Sequence, residues 1–190
     1  MKRWIFEPGH TSAGFSVRHM MVTQVRGQFT DVRGELAFDP DDPARGGSVE
    51  ARIDASTLWS GEEARDAHLR DEDFLDVENH REIVYRGDRV EPLGCHEYRI
   101  RGELTLRGET REVPLEVRYL GIRETPFWQD GEDLGPVRRV GFTATAAIDR
   151  RDFGVSWQAP LEGGGVVVGH RVEITLDVEA LEAGVVPGVD

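Results

Sequence analysis

The 190-residue sequence predicts an all-β protein with one short helical insertion. Three observations carry this. Apolar residues recur at every second position in segment after segment, the mark of a strand with one buried face. Clusters of Gly, Pro, Asp and Asn punctuate those segments. A single stretch after residue 60 drops the alternation and opens with a helix-start signature, Ser60-Gly61-Glu62-Glu63, which reads as a capping box. All-β barrels of about 200 residues fold as single units, so one domain is expected over residues 1–183, with 184–190 as a frayed tail.

In chain order, Phe15, Val17 and His19 share one strand face opposite Ser16 and Arg18. A strand beginning near Val25–Phe29 ends at Leu36 and Phe38, and the run from Asp39 to Gly47 is a polar tip. Val49, Ala51, Ile53 and Ala55 alternate with charged residues. Ala64, Ala67 and Leu69 follow the capping box on a short helix, and Asp71 to Leu75, with Phe74, reads as a second helical turn with its own Asp cap. Ile83 and Tyr85 lead the next strand. Tyr98, Ile100, Gly102, Leu104 and Leu106 form a hairpin with Val113, Leu115, Val117 and Tyr119 across a turn at Arg107-Gly108. Pro114 cannot donate to a ladder and marks an edge, a bulge or a gap. Gly121 to Val137, carrying Pro126, Phe127 and Trp128, reads as a long loop. Val140, Phe142, Ala144, Ala146 and Ile148 form one more strand. Gly154 to Gly165 is a loop with Trp157, Pro160 and a Gly163-Gly164-Gly165 run. Val168, Val172, Ile174, Leu176 and Val178 make the clearest strand, its apolar face interrupted only by His170.

About eight strands is the number that closes a barrel able to hold one ligand. The inward faces mix Phe142, Tyr85 and Tyr119 with Ala51, Ala144, Ala146 and Gly102. Such small residues leave volume that suits an apolar ligand. The same alternation also serves a sandwich with a solid core, in which Phe127 and Trp128 would form a protein-interaction surface.

Composition excludes several classes. The net charge of −13 repels phosphate backbones and anionic headgroups, so no nucleic-acid partner is expected. All but one of the 23 basic residues are arginine, the exception being Lys2. The single cysteine, Cys95, permits no intrachain disulfide and reads as a strand-end or loop thiol. The N-terminus lacks the apolar run of a signal peptide and no window approaches a membrane span, so the expected location is the cytoplasm, with no stable membrane insertion. The six histidines show no metal-ligand spacing, and no serine or cysteine pairs with His19 or with Asp66 and His68 as a nucleophile–base set. No metal, cofactor or catalytic residue is expected. Arg150-Arg151-Asp152 reads as a salt bridge closing one barrel end, with a lipid-headgroup contact as the other reading.

Five segments taken together resemble the YceI-like family of lipocalin-like, polyisoprenoid-binding proteins. They are His10 to His19 with Val25 to Phe29; Arg65-Asp66-Ala67-His68-Leu69 with Phe74; Gly102 to Thr110 with Val113 and Leu115; Arg139, Gly141 and Phe142 with Ile148 to Gly154; and Val168-Gly169 with Val172, Ile174 and Leu176. No one of these is specific, but their order over residues 4 to 181 is. A departure lies at Asn79-His80-Arg81, where the family usually has a Tyr-Pro pair.

The resemblance implies an eight-stranded antiparallel lipocalin-like barrel and often a homodimer. It also implies a non-catalytic carrier that binds, stores or transports an isoprenoid or other long-chain lipid in a central apolar tunnel. The expected lining is Phe15, Val17, Phe38, Ile53, Tyr85, Ile100, Leu104, Val117, Tyr119, Phe142, Ala144, Ile174 and Leu176. Leu69 and Phe74 would plug one side, and His19 and His170 would be polar contacts inside.

Overall fold

The computed structural model describes residues 1–129, 131–159, 161 and 164–184; Pro160, Gly163 and the expected tail from 185 onward lie outside them. The strands are β1 (Lys2–Phe6), β2 (Ser12–His19), β3 (Thr23–Phe29), β4 (Val32–Phe38), β5 (Gly47–Asp54) and β6 (Leu58–Trp59). After the α-helix α1 (Glu63–Arg70), the one among the described residues, come β7 (Glu82–Gly94), β8 (Glu97–Leu106), β9 (Glu109–Glu112), β10 (Leu115–Gln129), β11 (Glu132–Asp149) and β12 (Val168–Glu182).

Four pairs of these strands are single lines of chain with a local break. β1 and β2 both run along β12, and β3 and β4 run along β2 and β1 in turn. β5 and β6 face β4 and β3, and β9 and β10 share one register against β8. The breaks have local causes. Pro8 opens the turn that separates β1 from β2, and Pro114, without an N–H, separates β9 from β10. Asp54 accepts from the Ser56 N–H and holds the turn Ala55–Thr57 between β5 and β6. The result is eight antiparallel staves in up-and-down order, and the sheet closes where β12 meets β1 and β2. Closure leaves the barrel body without a free edge.

The up-and-down path gives the barrel two distinct ends. At the helical end lie the turn Met20–Val22, the segment 55–81 with α1, the hairpin turn Arg107-Gly108, and the segment 150–167. At the other end lie the chain start, the loop 39–46, the turn at Cys95-His96, the β10–β11 tip and the end of β12. Arg107 and Gly108 both have positive φ, as the two-residue turn that joins twisted strands requires. Cys95 is exposed in its turn.

Three expectations are corrected. Residues 121–137 do not form a loop; β10 and β11 continue as a hairpin with partners to Gln129 and Glu132. The β8 pairing stops at Arg118–Glu97, so this ribbon leaves the barrel wall, and of its described residues only Phe127 and Val137 are buried, too few to impose alternation. Phe127 still finds a small core with Val137 and Leu181, whereas Trp128 is exposed. Residues 71–75 are turns rather than a second helical turn, and the Asp71 side chain accepts from the Asp73 N–H instead of capping a helix. The capping box is also rearranged. Glu62 caps α1 by accepting from the N–H groups of Ala64 and Arg65, while Ser60 donates its N–H and hydroxyl to the buried carboxylate of Asp66.

Candidate functional site: an uncharged cavity open at one end

The interior is not solid. A cavity of about 230 Å3 runs along the barrel axis and is lined by residues of all eight staves. On β12 its wall runs from Val172 to Val178, about 20 Å at the usual strand rise of about 3.3 Å per residue. Among the described residues, none on the wall is charged. Many wall residues, such as Val49, Ile100 and Leu176, are only half-buried because their remaining surface faces this space.

Glycines keep the space open. At Gly102 an added Cβ would lie 2.5 Å from the Tyr85 hydroxyl oxygen, and at Gly27 it would lie 2.5 Å from the Phe15 ring. At Gly34 it would lie 2.8 Å from Phe6. Each ring therefore rests flat against a neighbouring strand where a side chain is missing, instead of standing into the cavity. The Tyr85 hydroxyl donates toward the carbonyls of Ile100 and Val113, at 3.2 and 3.1 Å. Burial pushes its phenol above the ordinary tyrosine value, so it stays protonated.

The helical end is closed. Arg150, 4 % exposed, donates to four backbone carbonyls, those of Val155, Trp157, Val168 and Gly169. Arg107 does the same for Glu72, Phe74 and Gly154. Phe153 and Leu58 are buried beneath them. The expected salt bridge within Arg150-Arg151-Asp152 is corrected: Arg151 pairs with Asp149, and Arg150 serves carbonyls alone. The Arg151 guanidinium holds Asp149 well below the usual carboxylate range.

The opposite end is open. The wall there is completed by Pro43, Gly46 and Gly47 on one side and by Val90 and Tyr98 on the other, while the Ser48 side chain alternates with Val49 and faces outward beside Ala37 and Glu50. Nearby, the break between β1 and β2 is sealed by side chains. The Thr11 hydroxyl bridges the carbonyl and N–H of Glu179. Arg139 binds Glu7 and Glu179 at 3.1 and 2.7 Å, and His10 stands against the same two carboxylates. Burial pushes Glu7 up, but hydrogen bonds with Glu179, Arg139 and His10 outweigh it and bring it down to about 2. Burial and then Glu7 push Glu179 up. Spacing in the sequence did not flag this group, nor the cluster of His68, Asp71 and Asp73. In the first, Arg139 already supplies the positive charge that a cation would bring.

The structure places Phe15, Phe38, Ile53, Tyr85, Ile100, Leu104, Val117, Phe142, Ala144, Ile174 and Leu176 on the cavity wall. Six expected site residues lie elsewhere. Val17 and His19 share the face of Phe15 but sit farther along β2, toward the closed end. His170 falls in the register shift between Val168 and Val172, and its buried Nδ1 has no partner among the described residues. Tyr119 shares the inward face of Val117 but lies farther along β10, toward the open end, packed against Phe38 and Phe142. Leu69 packs on the core from α1, and Phe74 packs against His68 and Trp157 at the closed end. Sequence reading missed Trp4, fully buried with Arg138 over its ring, and the mouth residue Tyr98. Alternation could have found Tyr98, which shares the face of Ile100.

An eight-stranded up-and-down barrel around an uncharged cavity is a lipocalin-like architecture. The chain belongs to the family of the YceI-like domain, whose model matches residues 4–180. It is similar to a UPF0312 protein of Staphylococcus epidermidis, 28% identical over 179 residues that cover 94% of this chain and 97% of the relative. A UPF0312 protein of Vibrio cholerae is 29% identical over 146 residues, covering 77% of this chain and 72% of the relative. Among solved structures, BcnA of Burkholderia cenocepacia superposes with a TM-score of 0.73 at 19% identity, over 92% of this chain and 98% of that one. A polyisoprenoid binding domain from Saccharophagus degradans, implicated in plant cell wall breakdown, superposes at 0.66 and 10% identity, over 96% and 99%.

Proposed function

We propose that this protein is a non-catalytic carrier that stores or transports a long-chain apolar lipid, of polyisoprenoid or similar type, in the central cavity. The observation that carries this reading is the uncharged cavity itself, held open by glycines under aromatic rings. Burying apolar surface is worth about 25 cal/mol per Å2, and a chain inserted along the axis gains this for the length that lies within the bore. The polyisoprenoid binding domain with the same fold supports the reading. The test is native mass spectrometry of freshly purified protein, followed by organic extraction and mass analysis of whatever is bound. A stoichiometric long-chain lipid is the expected result. An unliganded mass, with no uptake of polyprenols or isoprenoid quinones, would overturn the reading.

A further inference from the structure

Resting on the carrier reading, we infer that the cargo is an uncharged lipid whose polar head sits at the open mouth against the hydroxyl of Tyr98, and that lipids with phosphate or carboxylate heads are rejected. Among the described residues of the wall there is no side chain to balance an anion. Taking an ion out of water costs several kcal/mol unless it is paired, whereas a neutral carbonyl or hydroxyl needs only a hydrogen bond.

The mouth is no friendlier to a negative head. Its lip carries Asp39, Asp41 and Asp42, and the one arginine of that loop, Arg45, is paired with Asp39 at 3.9 Å. The nearby cations of Lys2 and Arg138 are both engaged by Glu182, and Arg3 by Glu35. The net charge of −13 adds a long-range penalty of the same sign.

What the mouth offers is a hydroxyl group. Along the wall, the hydroxyls of Thr11 and Tyr85 are taken by backbone partners. Ser12 and Ser48 alternate with the inward residues Ala13 and Val49 and face outward, whereas Tyr98 shares the inward face of Ile100 at the mouth and makes no hydrogen bond among the described residues. Burial, then Cys95 and Asp42, push the Tyr98 phenol up, so it stays protonated at neutral pH. A protonated phenol, which can donate or accept, matches a ketone, quinone or alcohol head. Closure of the far end fixes the polarity: tail inward, head at the mouth.

The experiment offers delipidated protein three probes with one tail, geranylgeraniol and its phosphate and carboxylic acid counterparts, and reads affinity by native mass spectrometry at neutral pH. The alcohol is expected to bind at least about ten-fold more tightly than either anion. Equal binding of alcohol and phosphate overturns the head-group inference and leaves the carrier reading standing. Failure of all three probes, and of longer polyprenols, overturns both. Tyr98→Phe is expected to weaken the alcohol by about three- to ten-fold while leaving squalene, which has no polar head, unchanged. An unchanged alcohol affinity, or an equal loss for squalene, removes Tyr98 from the role.

Discussion

The two ends of the barrel solve opposite problems with different chemistry. At the helical end, two arginines spend their donors on backbone carbonyls of loops that have no ladder to satisfy them. At the open end, charged side chains pair with one another around the mouth and leave the axis clear. Buried carbonyls need donors wherever they are. The contrast teaches that closure here is made by side chain to backbone bonds and access by withholding them.

The largest effect should come from breaking the closed end. Arg150→Met takes the guanidinium donor from the carbonyls of Val155, Trp157 and Gly169, and from that of Val168, which keeps Gln158 Nε2 at 2.6 Å, and should destabilise the fold by about 3–5 kcal/mol in urea unfolding. A change below about 1 kcal/mol would mean that packing of Phe153 and Leu58 closes the end without it. Next, Gly102→Ala should cost about 1–3 kcal/mol and obstruct the bore, because the new methyl meets the Tyr85 ring and the Arg86 carbonyl. Folded protein that still co-purifies with lipid would show that the ring has another resting place. Ala144→Trp, on the wall of the bore, should abolish lipid retention while circular dichroism stays that of the parent; retained lipid would take Ala144 off the path.

The open half should answer to acid. Glu7 titrates below its ordinary value in the folded protein, so its contribution to stability is complete above about pH 4.5 and is lost as pH falls toward 2. Glu179, pushed up, acts in the opposite sense and softens that loss. Arg139→Met should therefore flatten the acid limb of the melting midpoint, and an unaltered limb would place the acid sensitivity elsewhere. The smallest effect belongs to the outer face beside the mouth: Ser48→Ala should shift stability by less than about 0.5 kcal/mol. A larger shift would show that the start of β5 is a structural joint.

Legibility in the sequence follows the same divide. Where one strand face is dry and the other wet, alternation names the wall, as from Val172 to Val178 and from Tyr98 to Leu106. Alternation reports face but not depth, so Val17 and His19 were assigned to a cavity that ends before them. It also fails across irregularities, and a single register shift removed His170. The β10–β11 ribbon reads as a loop because, outside the wall, only Phe127 and Val137 of its described residues are buried and no period shows. The arginine clamps were invisible because their partners are carbonyls, which every residue carries and no spacing advertises. Trp4 escaped because its strand has five residues, too few for a period to show.

The sealed floor has one more consequence. A tube open at both ends is indifferent to the length of what threads it, but a blind tube is a gauge. Each methylene that reaches inside adds about 0.8 kcal/mol until the tail touches bottom, and each one beyond that is left in water. Grip should rise with chain length, then level off, and the level would mark the depth of the floor.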